Sequence, residues 1–471
     1  MRLNYRRTFL IGFAFFGILL LWQVYDSWCP TFLTDIFARR LYGLSSAGLK
    51  AAGPEKLPRV QWIVGILMAL DNLAALLLLP LFGSLSDRTR TPIGKRMPYI
   101  LAGTAVSALA FPLIPLFFHR GGIPAMAAMM GVVLVFMMMY RNPAAALMPD
   151  LTPKPLRARA NGIINICGYL GGACAMFIGV FLRLSDYINA PDDARNLWII
   201  EIPFLAASGL MVLSAAVLFF TVKENRLAED LREELEAGER LAAVETPVEA
   251  EGPMPPANRR MLFAILAAEF LWFMAENALG TYIGNYVLYY LNAASSATML
   301  LTIAGGAASV LGFAAAGTIA DRVGRKYTVT AGLAMTAAAL CLMGFARPTG
   351  IVVGDLGEQS FPALLYGVWA VKGFGMSLVH GCSFPMVVEL CSSEHIGRFT
   401  GWYYAASMSA QTVTPVLLGL VFMASGRWEA LPAYAAALYA LSLAVFALRV
   451  KNIRAVKVSN AHGLEGLDSG D

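Results

Sequence analysis

A short polar signature occurs twice in this chain, each time between two long apolar tracts, and this repeat restricts the fold more than any other feature. Gly83-Ser-Leu-Ser-Asp87-Arg88, followed by Gly94-Lys95-Arg96, returns as Gly317-Thr-Ile-Ala-Asp321-Arg322, followed by Gly324-Arg325-Lys326. A second set keeps the same register: Asp150, Arg159 and Gly162 return as Glu389, Arg398 and Gly401. The chain is therefore two copies of one unit.

The unit is a membrane unit. Hydrophobic residues make up 58% of the 471 and charged residues 14%, far from the balance of a soluble chain. Twelve apolar tracts between residues 9 and 448 each reach the roughly 20 residues needed to cross a bilayer as a helix, whereas barrel strands would be about half that length. The sequence thus predicts an all-α membrane protein with twelve transmembrane helices in two pseudo-symmetric six-helix bundles, residues 1–222 and 261–450. A cytoplasmic segment, 223–260, joins them, and a polar tail, 451–471, is expected to be disordered. Duplicated membrane bundles of this kind mostly belong to transporters.

With the N-terminus inside, Lys and Arg on the inner side outnumber those outside by more than two to one, so both termini are expected in the cytoplasm of a multi-pass plasma (bacterial inner) membrane protein. The net charge of +5 follows from this loop bias and requires no nucleic acid. The six cysteines lie in or beside apolar tracts without metal-site spacing, and no nucleophile–base set or nucleotide loop stands out. Neither an enzyme, a metal nor a cofactor is expected. In the joining segment Leu227, Leu231, Leu235 and Leu241 among many glutamates predict an amphipathic helix, and Pro247, Pro253, Pro255 and Pro256 a flexible end.

The repeated loops suit a gate. Glycine at 83 and 317 allows close helix approach, and an interfacial acid can pair with arginine or with a helix N-terminus. Gly83, Asp87, Arg88, Gly94, Arg96, Asp150 and Arg159 in the first half, and Gly317, Asp321, Arg322, Arg325, Glu389 and Arg398 in the second, are the candidate cytoplasmic gate. Arg159 and Arg398 are the expected partners of Asp87 and Asp321.

These residues carry a resemblance. Gly317-x-x-x-Asp321-Arg322-x-Gly324-Arg325-Lys326 resembles the cytoplasmic signature of the major facilitator superfamily. The longer first copy, Pro80 to Met97, together with Leu147-Met-Pro149-Asp150-Leu151-Thr-Pro153, Arg159-Ala-Asn-Gly162 and Thr400-Gly401-Trp402-Tyr403-Tyr404, resembles the glycoside-pentoside-hexuronide:cation symporters and the related sucrose carriers. The resemblance implies a carrier that moves a sugar-like solute with a cation by alternating exposure of a central site. Leu76 to Leu79 stand where the melibiose-type members have paired aspartates, so the residues of that branch's sodium site are not matched here.

Charges inside spanning helices cost about 2.5–3.5 kcal/mol on insertion scales and usually face water or the bundle interior. Asp26, Asp71, Glu269 and Glu276 are the candidate coupling residues, against two fixed cations, Arg141 and Lys372, so at least one acid lacks a permanent partner. An unpaired buried carboxyl favours its neutral form, which points to proton coupling, with Asp71 and Glu276 as first candidates. Glu269, Trp272, Phe273 and Glu276 share one helical face, placed here toward a central cavity. Trp22, Gln23, Tyr25, Asn72, Arg141, Asn142, Trp272, Asn277, Trp369 and Lys372 are the candidate substrate-binding residues, because sugars combine hydroxyls with an apolar ring face. His380 is read either as a proton relay or as a core histidine. The reading is a monomeric proton symporter of a sugar or glycoside. An exporter of amphipathic molecules on the same fold and a non-transporting sensor or scaffold are the alternatives.

Overall fold

The structure is a computed structural model that describes residues 3–45, 48–49, 55–189, 194–245, 256–346, 361–390 and 396–451. The tail beyond Lys451, the four prolines' segment before Pro256, Cys391, and the side chains of Arg159, Glu389 and Arg398 lie outside the described residues.

Within an apolar medium a backbone must satisfy its own polar groups, and these tracts do so as helices. The first half contains α1 (Tyr5–Tyr42), α2 (Gln61–Arg88), α3 (Met97–Ala110, resuming as Leu113–His119), α4 (Ile123–Asp150), α5 (Arg157–Phe181) and α6 (Ala194–Thr221). The second contains α7 (Pro256–Asn285, ending in a π-turn Tyr286–Tyr290), α8 (Ser295–Val323), α9 (Arg325–Met343), α10 (Leu364–Glu389), α11 (Ile396–Ser425) and α12 (Ala430–Arg449). Among the described residues, eleven are long and apolar enough to cross a membrane; α10 is diluted by Lys372 and His380 but packs inside its bundle. This is an integral, multi-pass membrane architecture. Local chemistry sets the ends: Asn4 caps α1 by accepting the Arg7 N–H at 3.0 Å, and Gly43 closes it in the left-handed region at φ 63°.

The two halves repeat the same packing. In the first, α1 packs on α5 and α6, α4 packs on α2 and α3, and α3 packs on α6. In the second, α7 packs on α11 and α12, α10 packs on α8 and α9, and α9 packs on α12. The interface between halves obeys the same pseudo-twofold: α2 meets α11, its mate α8 meets α5, and α1 meets α7.

That interface is sealed at the end opposite the repeated loops. Asn285 of α7, fully buried, accepts the Thr31 hydroxyl at 3.0 Å and donates to Thr34 Oγ1 at 2.8 Å and Gln61 Oε1 at 3.2 Å. The Tyr282 hydroxyl donates to the carbonyls of Pro415 at 2.5 Å and Gln61 at 3.3 Å. Gly65 permits the close crossing of α2 and α11, because a Cβ there would collide with the Pro415 carbonyl. Among the described residues, hydrogen bonds between the halves run from this seal only as far as Asn72 at mid-depth.

The joining segment forms two short helices, Glu224–Asp230 and Arg232–Glu245. They lie against the first half: Leu231 is buried and Gly238 sits against Pro153 beyond α4.

Candidate functional site

A cavity of about 450 Å³ lies between the halves beneath the seal. Gln23 and Asp26 of α1 and Asp71 and Asn72 of α2 line it from the first half; Glu276 and Asn277 of α7, Trp369 and Lys372 of α10, and Gln411 of α11 line it from the second. Asn72 joins the walls by donating its amide to the Gln411 carbonyl at 3.4 Å. That carbonyl is free because Pro415, four residues on, has no N–H to give it.

The charged groups divide into two sets. On the second half Lys372 Nζ lies 3.3 Å from Glu276 Oε1, and His380 Nε2 lies 3.1 Å from Glu276 Oε2. Lys372 and His380 are eight residues apart on α10, two turns along one face, so both reach a single carboxylate. The His380 ring rests against Phe273 and Trp272, with centroids 5.4 and 6.4 Å away. On the first half Asp26 is exposed to the cavity and Asp71 half-buried. Each lies within electrostatic reach of Arg141 on α4, but among the described residues no direct ion pair forms there.

Several residues read from the sequence as cavity-facing are elsewhere. Trp272 and Glu269 are fully buried and absent from the wall. Glu276 shares their face but sits two turns nearer the cavity; the shared face gives a direction around the helix, and at the depth of Glu269 that direction is filled by neighbouring helices. Trp22 and Tyr25 are likewise packed into the core, edge to face with each other at 5.5 Å. Arg141 and Asn142 stand behind the wall. Asn142 donates to the Leu79 carbonyl, and Gly83 makes that approach possible, since a Cβ there would lie 2.5 Å from the Asn142 amide nitrogen. Of the three candidate stacking tryptophans, only Trp369 reaches the cavity.

At the loop end, Arg96 organises the first copy of the signature. Its guanidinium binds Asp87, Ser86 and, from Nε at 2.9 Å, Asp150, while Lys95 Nζ reaches the same Asp150 oxygen at 3.0 Å. Arg96 is thus a partner of Asp87, while the expected partner Arg159 has a side chain outside the described residues: the loop folds back so that the first turn of α3 lies beneath the end of α2. Burial works to lower the Arg96 pKa, but Asp150 and Asp87 outweigh it and hold the guanidinium above its ordinary value.

The sequence reading missed Glu224, which it treated as part of a solvated helix. This buried carboxylate accepts the backbone N–H groups of Lys95 at 2.9 Å, Arg96 at 3.1 Å and Met97 at 3.0 Å, capping α3. Gly94, at φ 122°, is where the chain passes Glu224, and any Cβ would strike that carboxylate. The second copy, shorter by four residues, differs: Gly317 is exposed with nothing nearby to contact a Cβ, and Arg88, Asp321 and Arg322 are also exposed. Arg325 opens α9 just after Gly324.

Comparison with known proteins decides the family. The family model for the Major Facilitator Superfamily matches residues 59–290 and 262–465. The chain belongs to the major facilitator superfamily. Membership in this superfamily makes it a membrane transporter rather than an enzyme. The fold is similar to that of a D-xylose-proton symporter (15% identity, 95% of this chain and 99% of that one, TM-score 0.64). It is also similar to the xylose transporter XylE from E. coli in its inward open conformation (15%, 96% and 98%, TM-score 0.61). A bacterial homologue of the iron transporter ferroportin in an inward-facing state matches as well (13%, 94% and 98%, TM-score 0.63). At these identities the likeness is one of fold. No curated protein matches the chain by sequence.

Proposed function

We propose that this superfamily member is a proton-coupled symporter that imports a sugar or glycoside by alternating access, as a monomer in the plasma (bacterial inner) membrane with both termini and the repeated loops in the cytoplasm. The observation that carries the reading is the composition of the cavity: two carboxyls with no direct ion pair among the described residues, Asp26 and Asp71, face a wall of amides and one tryptophan, opposite a carboxylate already held by Lys372 and His380. Its volume lies within the range of about 300–1,000 Å³ usual for small-molecule sites.

In this reading Asp71 takes the proton. A bare carboxylate in a closing, drying cavity is costly, so the loaded carrier reorients once Asp71 is neutral. Glu276, held by Lys372 and His380, presents them to solute hydroxyls. Trp369 supplies the flat apolar face, and Asn72, Asn277 and Gln411 the amide contacts. Glycoside-pentoside-hexuronide symporters are the relatives that the loop motifs resemble, and xylose carriers share the fold.

An exporter of amphipathic molecules would want a wall of Phe and Met; here only Met68 and Met299 contribute such groups, which favours a polar solute. The test is proton uptake into proteoliposomes across a panel of mono- and disaccharides, with Asp71→Asn beside the wild type. Solute-dependent lumen acidification that falls about tenfold or more in Asp71→Asn, at least 1.4 kcal/mol of lost coupling, supports the reading. The absence of solute-dependent proton movement with every sugar would sink it and leave the sensor.

A further inference from the structure

Glu269 of α7 is fully enclosed, yet neither carboxylate oxygen has a hydrogen-bond partner among the described residues. The indole N–H of Trp272, nearly one turn on, is equally without a partner. An ionised carboxylate cannot be kept in such a place without a counter-charge, so the side chain carries its proton in this conformation.

The surroundings make it more than a stray acid. Glu269 lies two turns from Glu276 on the same face of α7. On α11, Tyr403 lies within electrostatic reach of Glu269, and its hydroxyl shares a 2.9 Å hydrogen bond with Ser383 of α10. Ser383 is one turn from His380 on that helix, and His380 Nε2 touches Glu276. Polar groups thus step from Glu269 to Glu276 across α11 and α10. Among the described residues, the other ionisable groups packed around this line are Lys372 on α10, already on Glu276, Tyr404 on α11, beside Tyr403, and Tyr439 on α12, within electrostatic reach of Glu276. None of them is a cation for Glu269.

We propose that Glu269 is a second proton-holding site, in series with Glu276 through His380 and enclosed in this arrangement of the helices. A proton leaving the Glu269 carboxyl reaches the His380 imidazole, and one leaves Nε2 for Glu276; a carboxylate forms at 269 as a carboxyl forms at 276, with no further reactant. This deepens the proton-symport reading and rests on it.

The test uses purified full-length protein in liposomes, without solute, followed by infrared difference spectroscopy and exchange into D2O. A protonated-carboxyl band at neutral pH, absent in Glu269→Gln and kept in Glu269→Asp, is expected. His380→Asn should leave the band in place and slow its deuterium shift about tenfold or more, equivalent to a barrier raised by at least 1.4 kcal/mol. A neutral-pH spectrum identical in wild type and Glu269→Gln overturns the site, and an unchanged exchange rate in His380→Asn overturns the series arrangement. Neither result depends on a transported solute, so a sugar panel that fails to drive proton movement is a separate failure, that of symport itself.

Discussion

Both oxygens of Glu224 lie 3.1 Å from the backbone nitrogen of Arg96, the residue whose side chain gathers Asp87 and Asp150. The segment joining the two bundles is therefore fastened to the first of them through the arginine that organises the first loop.

Removing that carboxylate leaves three N–H groups at the start of α3 without acceptors, each worth about 1–3 kcal/mol if it stays buried. Glu224→Ala should lower the unfolding temperature in detergent and make the 223–245 stretch sensitive to protease. Glu224→Gln, which keeps an acceptor oxygen, should recover part of both. Equal protease resistance in Glu224→Ala and wild type would contradict the fastening.

Glu276 and Lys372 should behave as a coupled pair. The pair is only partly buried, at 17% and 23% side-chain exposure, so breaking it from one side costs less than the roughly 3–5 kcal/mol of a fully enclosed pair, and replacing both partners is milder still. Lys372→Met and Glu276→Gln should each destabilise more than the double variant, with a coupling energy of about 0.5–3 kcal/mol in a thermal-unfolding cycle. Additive effects would mean that the ion pair is incidental.

The seal can be wedged. A side chain at Gly65 must displace the Pro415 backbone, so Gly65→Leu should part the halves at the Asn285 end. A cysteine placed at Thr281 in the cavity wall should then react with a membrane-impermeant maleimide from the side opposite the loops. Labelling should be negligible in the Thr281→Cys protein with Gly65 intact.

At the loops, Arg96→Ala removes the bridge between Asp87 and Asp150 and leaves two acids facing each other. Transport rate should fall about tenfold or more, and Arg96→Lys should rescue little of it, because an ammonium cannot reproduce the planar fork that serves several acceptors at once.

The tracts and loops were legible in the sequence because apolar length and a repeated polar signature are local properties. Depth was not. Spacing places Glu269, Trp272 and Glu276 on one face of α7, and Trp22 with Asp26 on one face of α1, yet only Glu276 and Asp26 reach the cavity. Periodicity gives a direction around a helix, and how far along it the cavity extends depends on neighbours from other parts of the chain. The contact of Glu224 with Arg96 is of the same long-range kind; the only sequence trace is an acid placed just where α6 ends. His380 illustrates the intermediate case, since its two-turn spacing from Lys372 could be seen but the carboxylate that they share could not.

The closure centred on Asn285 and Tyr282 consists of a handful of neutral hydrogen bonds, each contributing about 1 kcal/mol net. Micromolar to millimolar binding of a small solute releases about 4–8 kcal/mol, a comparable quantity. Cargo can tip this closure only by the part of that energy that it gains in the opened arrangement over the closed one.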